Sequence, residues 1–285
     1  LTTRRKKAAT PATPATPRRK STSLTAALPG RIMGWIGLIS ITAVLAILVL
    51  HLLGYDPLQR FLIEKSYKTY NGFGIRMPTR YAIHGIDVSQ HQGGINWPLV
   101  KGMKDGDIQL RFVFIKATEG LVLKDRNFSY NWKEAGKQGL LRGAYHYFKP
   151  RTDAIQQARH FCKAVKLRPG DLPPVLDVEE RGNLTRAELA RRVQLWLNEV
   201  EAQTGVTPLL YTNKHFYEKN LRDWLDRPYP LWIAHYYVPE LALEDSGAWR
   251  FWQHNDKGRV DGIDEPVDFN VFYGKEKELE KLRIK

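Results

Sequence analysis

Leu172-Pro-Pro-Val-Leu-Asp177-Val-Glu179-Glu180, then Thr185-Arg-Ala-Glu188, then Pro208-Leu-Leu-Tyr-Thr212 is the stretch on which the fold of this chain turns. Pro174–Val178 is a short apolar run bounded by prolines and acids, the pattern of a buried strand. Thr185 and Glu188 stand at the spacing of a capping box, in which hydroxyl and carboxylate satisfy each other's backbone N–H groups. They open a stretch of helical periodicity, Thr185–Gln203, and Pro208–Thr212 reads as the next strand. Strand, helix and strand in that order predict a parallel pair joined by a crossover helix.

Outward from this unit the alternation continues. Strand-like runs at Ala82–Val88, Phe112–Ala117, Gly143–Phe148, Leu231–Tyr236, Arg250–Gln253 and Val267–Phe269 join the two above. Helical periodicity falls between several of them, at Asn96–Met103, Asn127–Gln138 and Asp153–Lys166. About eight strands in about 200 residues predict an α/β fold, a closed (β/α) barrel that is irregular where helices are missing.

The 285 residues suffice for such a domain plus accessory segments. An aromatic content of 11%, with eight Trp, is that of a folded chain. The net charge of +14 is unevenly placed: residues 1–31 hold eight cations and no acid, leaving +6 for the rest. No basic recognition motif accompanies it, which argues against nucleic acid as a partner. A mild positive excess suits an acidic polymer instead. Cys162, the single cysteine, admits no intramolecular disulfide. It lies in a helical stretch with no His near it in sequence, so it reads as a structural thiol rather than a nucleophile.

Residues 1–31, with PATPATP and RRK, read as a basic disordered tail. Ile32–Leu53 contains no Lys, Arg, Asp or Glu. As a helix it spans about 33 Å, enough for a bilayer core of roughly 30 Å. Its length, and the lack of a small-residue cleavage site, favour an uncleaved signal anchor over a cleaved leader. The cations before it place the N-terminus in the cytoplasm and the rest of the chain outside. Residues 54–80 read as a juxtamembrane linker with a short helix at Leu58–Tyr70, 81–274 as the barrel, and 275–285 as a charged helix or tail.

In a β/α barrel the chemistry sits at the C-terminal ends of strands. Three acidic strand ends qualify: Asp87 in HGIDVS, Asp177 and Glu179 in LDVEE, and Asp268 in PVDFN. Side chains alternate along a strand, so Asp177 and Glu179 share one face. Two carboxyls so placed ionise together at a cost, and one keeps its proton to higher pH, as a general acid requires. Paired carboxylates fit glycoside hydrolysis; a hard-metal hydrolase is the competing chemistry. The histidines His84, His146, His235 and His254 show no metal-ligand spacing. Tyr145 and Tyr147 share a strand face, and Trp232, Tyr236 and Trp252 stand at strand ends, where aromatic rings favour a carbohydrate groove over phosphate chemistry.

The segments HGIDVSQHQGGINW, FVFIKATEG, LRGAYHYFKP, LPPVLDVEE, PLLYTN, LWIAHYY and FWQHNDKGRVDGIDEPVDFNVF, in this order from Tyr81 to Gly274, resemble glycoside hydrolase family 25, the Chalaropsis-type lysozymes. The resemblance implies a flattened, irregular barrel without metal or cofactor. It also implies an N-acetylmuramidase that cleaves the β-1,4 bond between N-acetylmuramic acid and N-acetylglucosamine in peptidoglycan glycan strands. Glu179 matches the general acid/base; Asp87, Asp177 and Asp268 match the other acidic site positions. Tyr145, Tyr147, Tyr211, Trp232, Tyr236 and Gln253 are the candidate substrate-binding residues. The expected setting is a bacterial inner membrane held through Ile32–Leu53, with a monomeric catalytic domain outside. The alternative is a catalytically silent wall-binding module on the same fold.

Overall fold

The computed structural model describes residues 41–50, 61, 64–243 and 249–285. The chain divides into two units, Leu1–Asp56 and Pro57–Lys285. In the first, residues 41–50 are helical, with Ile41, Leu45 and Leu48 exposed. No helix among the described residues is long and apolar enough to cross a membrane. The expected tail, 1–31, and parts 32–40 and 51–53 of the expected span lie outside the described residues.

Eight strands of the second unit close into a barrel. In chain order they are β1 (His84–Val88), β2 (Ile108–Glu119), β3 (Leu141–Tyr147), β4 (Val175–Asp177), β5 (Leu209–Asn213), β6 (Leu231–Ala234), β7 (Trp249–Val260) and β8 (Ile263–Phe272). Strands β1 to β7 are each parallel to the next. Strand β8 is antiparallel to both β7 and β1 and completes the ring. The first five strands are each followed by a helix: α1 (Trp97–Gly102), α2 (Phe128–Lys137), α3 (Ala154–Ala164), α4 (Arg186–Thr204) and α5 (Lys214–Asn220). The last three strands follow one another with no helix among the described residues, and α6 (Glu276–Leu282) ends the fold. Every strand run read from the sequence overlaps one of these eight.

Local chemistry sets the helix ends. At α4 the Thr185 hydroxyl accepts the Glu188 N–H at 3.2 Å and Glu188 accepts the Thr185 N–H at 2.8 Å. Asp153 caps α3 by accepting from the Gln156 N–H at 2.8 Å. Cys162, on α3, is partly buried against the core, and burial pushes its thiol up to about 11.

The core has two layers. Apolar side chains between strands and helices form the larger one. The other fills the barrel with Phe112, Phe114, Trp232, Phe251 and Phe272. Gly85 and Gly143 make room for it: a Cβ there would stand 2.5 Å from Phe112 and 2.4 Å from Phe114.

Three boundaries differ from the sequence reading. The expected linker is not one: Tyr67–Tyr70 and Ile75–Pro78 pair as an antiparallel hairpin. Its Tyr67, Tyr70, Phe73, Ile75 and Met77 are buried, which a solvated linker would not allow. Phe73 meets Phe269 edge-on at 5.3 Å, and the Arg259 N–H donates to the Phe73 carbonyl at 2.9 Å. The helix expected at Leu58–Tyr70 therefore stops before Tyr67. At the other end, Leu279 of α6 is fully buried in the barrel-filling cluster. The Ile284 backbone pairs with Gly170 and Asp171, so the barrel unit runs past Gly274.

Candidate active site

Parallel strands deliver their C-terminal ends to one mouth. Asp87 and Asp177 arrive there at the ends of β1 and β4, and Glu179 follows two residues after Asp177. Asp268 reaches the same mouth from the opposite direction, because the antiparallel register of β8 sets it directly across from Asp87. Facing residues of an antiparallel pair project from the same face. Asp87 and Asp177 are buried, Asp268 is half-buried and Glu179 is exposed. The four expected carboxylates are thus brought together, and Glu179 is the one that faces solvent.

Amide side chains hold Asp87 in place. Its Oδ2 accepts from Gln253 Nε2 at 2.8 Å and from Asn270 Nδ2 at 2.7 Å. Which end of each amide faces Asp87 is fixed from behind. The Tyr211 and Tyr236 hydroxyls both donate to Gln253 Oε1 at 2.7 Å, and Trp232 Nε1–H donates to Asn270 Oδ1 at 2.7 Å. Asn270 was missed as a site residue from the sequence. Its signal was the two-residue spacing from Asp268 on one strand.

Crowding sets the protonation states. Burial first, and then Asp268, hold the Asp87 carboxyl well above its usual range. Burial and then Glu179 do the same for Asp177, whose Oδ1 is buried with no hydrogen-bond partner. Asp268 is pushed up to about 6, by burial first and then by Asp256 and Glu179. Glu179 is also raised by burial of its carboxyl, although the residue as a whole is exposed; Lys116 opposes the shift. Lys116, another residue the sequence reading passed over, pairs with Glu119 at 2.7 Å, and Lys149 pairs with the same carboxylate at 3.1 Å. Their ammonium groups stand 4.9 and 4.5 Å from the Tyr147 ring centre.

The candidate aromatic residues divide by exposure. Tyr145, Tyr147 and Tyr236 are half-buried at the mouth. Tyr145 has its hydroxyl pushed up by burial and by Asp87, Asp177 and Asp268, which places it among them. Trp232 is a correction: it is 1% exposed, stacked on Phe114 at 4.4 Å and packed against the tilted Tyr211 ring at 4.3 Å, so it offers no ring face to a sugar. It serves the site through its N–H to Asn270. Tyr211 and Gln253 are likewise buried and act through the network around Asp87. Tyr237 was missed. It is exposed, has φ +58°, and donates its hydroxyl to Asp256. A left-handed backbone at a tyrosine is strained, and such strain concentrates at functional rims.

The histidines do not enter the cluster. His146 bonds Thr118 at 2.7 Å and Gln157 at 3.1 Å, and burial lowers it to about 3; His84 is lowered to about 4. Among the described residues no group of three or more His, Cys, Asp or Glu is arranged to hold a metal ion.

A β/α barrel with converging carboxylates at the C-terminal mouth defines a class, the barrel hydrolases that work with acid groups. The profile of glycosyl hydrolases family 25 matches residues 86–263, a segment that includes Asp87, Asp177 and Glu179 and stops just short of Asp268. The chain is 52% identical over 215 residues to the uncharacterized protein YegX of Escherichia coli (strain K12), covering 75% of this chain and 78% of that one. It is 33% identical over 205 residues to lysozyme M1 of Streptomyces globisporus, covering 67% and 68% respectively. A family 25 glycosyl hydrolase from Bacillus anthracis has a similar structure, with TM-score 0.65 and 30% identity over 76% of this chain and 100% of that one. The chain belongs to glycosyl hydrolases family 25, and it is a glycoside hydrolase.

Proposed function

We propose that the chain is a lysozyme-type peptidoglycan hydrolase that cuts the β-1,4 bond between N-acetylmuramic acid and N-acetylglucosamine with retention. The observation that carries the assignment of roles is the exposure of Glu179 beside buried carboxylates. An acid that must reach a glycosidic oxygen has to face the cleft, and its raised pKa lets Glu179 keep its proton to higher pH than an ordinary glutamate does. Glu179 donates that proton to the leaving oxygen and later deprotonates the attacking water.

Asp177 presents a buried oxygen with no partner. An orphan acceptor of this kind is expensive to leave unfilled. The amide N–H of a 2-acetamido group fills it, and this orients the acetamido oxygen toward the anomeric carbon, as in substrate-assisted hydrolysis. Asp268, pushed up only to about 6, supplies negative charge near neutrality for the oxocarbenium-like transition state, and Asp87, held by Gln253 and Asn270, stands across from it. Tyr145, Tyr147 and Tyr236 flank the sugar.

A Glu179→Gln variant is expected to lose reducing-end release from purified sacculi by at least about 100-fold, as removal of a general acid does, while still binding them. Full activity in that variant would sink the assignment, and early appearance of the inverted anomer by NMR would exclude retention. Because the acid must be protonated, activity should decline as pH rises through the raised Glu179 pKa.

The charge-free span Ile32–Leu53 and the basic residues before it support a signal anchor, with the hydrolase outside a bacterial inner membrane. Sedimentation of the full chain with membranes, resistant to alkaline extraction, is the expected behaviour.

A further inference from the structure

The opposite end of the barrel carries a feature that hydrolysis does not use. A depression of about 680 Å³ runs along α2, from Phe128 to Lys137, and reaches the C-terminal end of α3 and the loop before β4. Strand β3 connects the two ends. Its first residue, Leu141, lines the depression, and its last, Tyr147, stands at the carboxylate mouth. At roughly 3.3 Å per residue the separation is about 20 Å.

Six cationic side chains line the depression against one carboxylate. That carboxylate, Asp171, is taken by Arg142 at 2.8 Å. Lys137 is paired with Glu134, and Arg283 with Glu280. Lys133, Lys166 and Arg168 are exposed and have no carboxylate partner among the described residues. The half-buried Trp132, with the Arg142 guanidinium 4.3 Å from its ring centre, forms an apolar wall.

Three uncompensated cations around a concave wall create a positive potential that the low-dielectric wall focuses. The volume is large for one phosphate or carboxylate, and an extended anionic chain engages several cations at once. A bilayer presents a plane and meets only the rim of a concavity. We propose that this groove is a second peptidoglycan-binding site, which grips the carboxylates of peptide stems on a strand other than the one being cut. The inference rests on the peptidoglycan reading of the carboxylate mouth. A strand held here lies on the far face from Glu179, so the groove tethers the enzyme to the wall while the mouth works on a neighbouring strand.

Binding is measured with the full chain carrying Glu179→Gln, by co-sedimentation with purified sacculi at low salt. Adding Lys133→Glu, Lys166→Glu and Arg168→Glu should weaken binding by about tenfold or more, and the Gln versions of the three should weaken it less. Glycan strands stripped of peptide should bind parent and variant alike. With Glu179 restored, the triple variant should cleave short peptide-free glycans at the parent rate. Unchanged binding to sacculi overturns the proposal. So does equal weakening on stripped glycan, or an effect confined to vesicles of anionic phospholipid. Should the unmutated chain cleave no wall glycan, the hydrolase reading fails by itself, and the binding comparison can still be scored.

Discussion

Asp268 has its pKa lifted from 3.8 to about 6, by burial first and then by Asp256 and Glu179. Between those two values the folded state holds a proton that the unfolded state has released. Stability therefore falls as pH rises through that window and stays lower above it. Asp268→Asn should raise unfolding free energy at pH 7 by about 1–2 kcal/mol and change it little at pH 4. The same substitution should cost most of the hydrolysis. Urea denaturation at the two pH values checks this, and a variant less stable than the parent at pH 7 would show that the buried charge is compensated. Asp177 and Glu179 were legible in the sequence as acids closing an apolar run, but the strand stops at Asp177 and Glu179 lies just beyond it, so strand alternation does not place the pair. Lys116 and Asn270 were not legible. Each is an ordinary strand residue until its neighbours are known: Glu119 on the same strand and Tyr147 on the next for one, Asp87 and Trp232 on other strands for the other.

Strands and capped helices carry their own signatures, and Thr185 with Glu188 announced α4 before any contact was known. Helix α5 offered only its cap, Asn213, which accepts the Phe216 N–H at 2.8 Å. At seven residues it is too short for a hydrophobic period, and packing supplies its order. The hairpin before the barrel was passed over for a related reason: Phe73 sits in its turn, and only the facing Phe269 makes that ring a core residue. Glycine is where strand and barrel-filling core meet. At Gly143 a methyl group would press on the buried Phe114, whose ring is stacked on Trp232. Gly143→Ala should destabilise by roughly 1–3 kcal/mol, as overpacking does. A melting temperature equal to the parent's would mean the aromatic stack can yield.

The hairpin also sets where the folded unit begins. A fragment 64–285 should be folded and recovered free of membranes. Fragment 81–285 lacks Phe73, Ile75 and Met77, each worth about 1.5–3 kcal/mol when buried, and should melt clearly lower. Equal melting temperatures would show that the hairpin packs without contributing.

For the molecule as a whole, alternation and caps determined the strand and helix order, because these patterns depend on residues adjacent in the chain. They also determined which acids stand at strand ends. The closure of the ring by an antiparallel β8 was decided only in three dimensions, since a strand's direction relative to its neighbour leaves no mark on its own sequence. That closure is what sets Asp268 across from Asp87. It also brings Asn270 to the Trp232 N–H, behind the site, where that ring is buried instead of offered to a sugar.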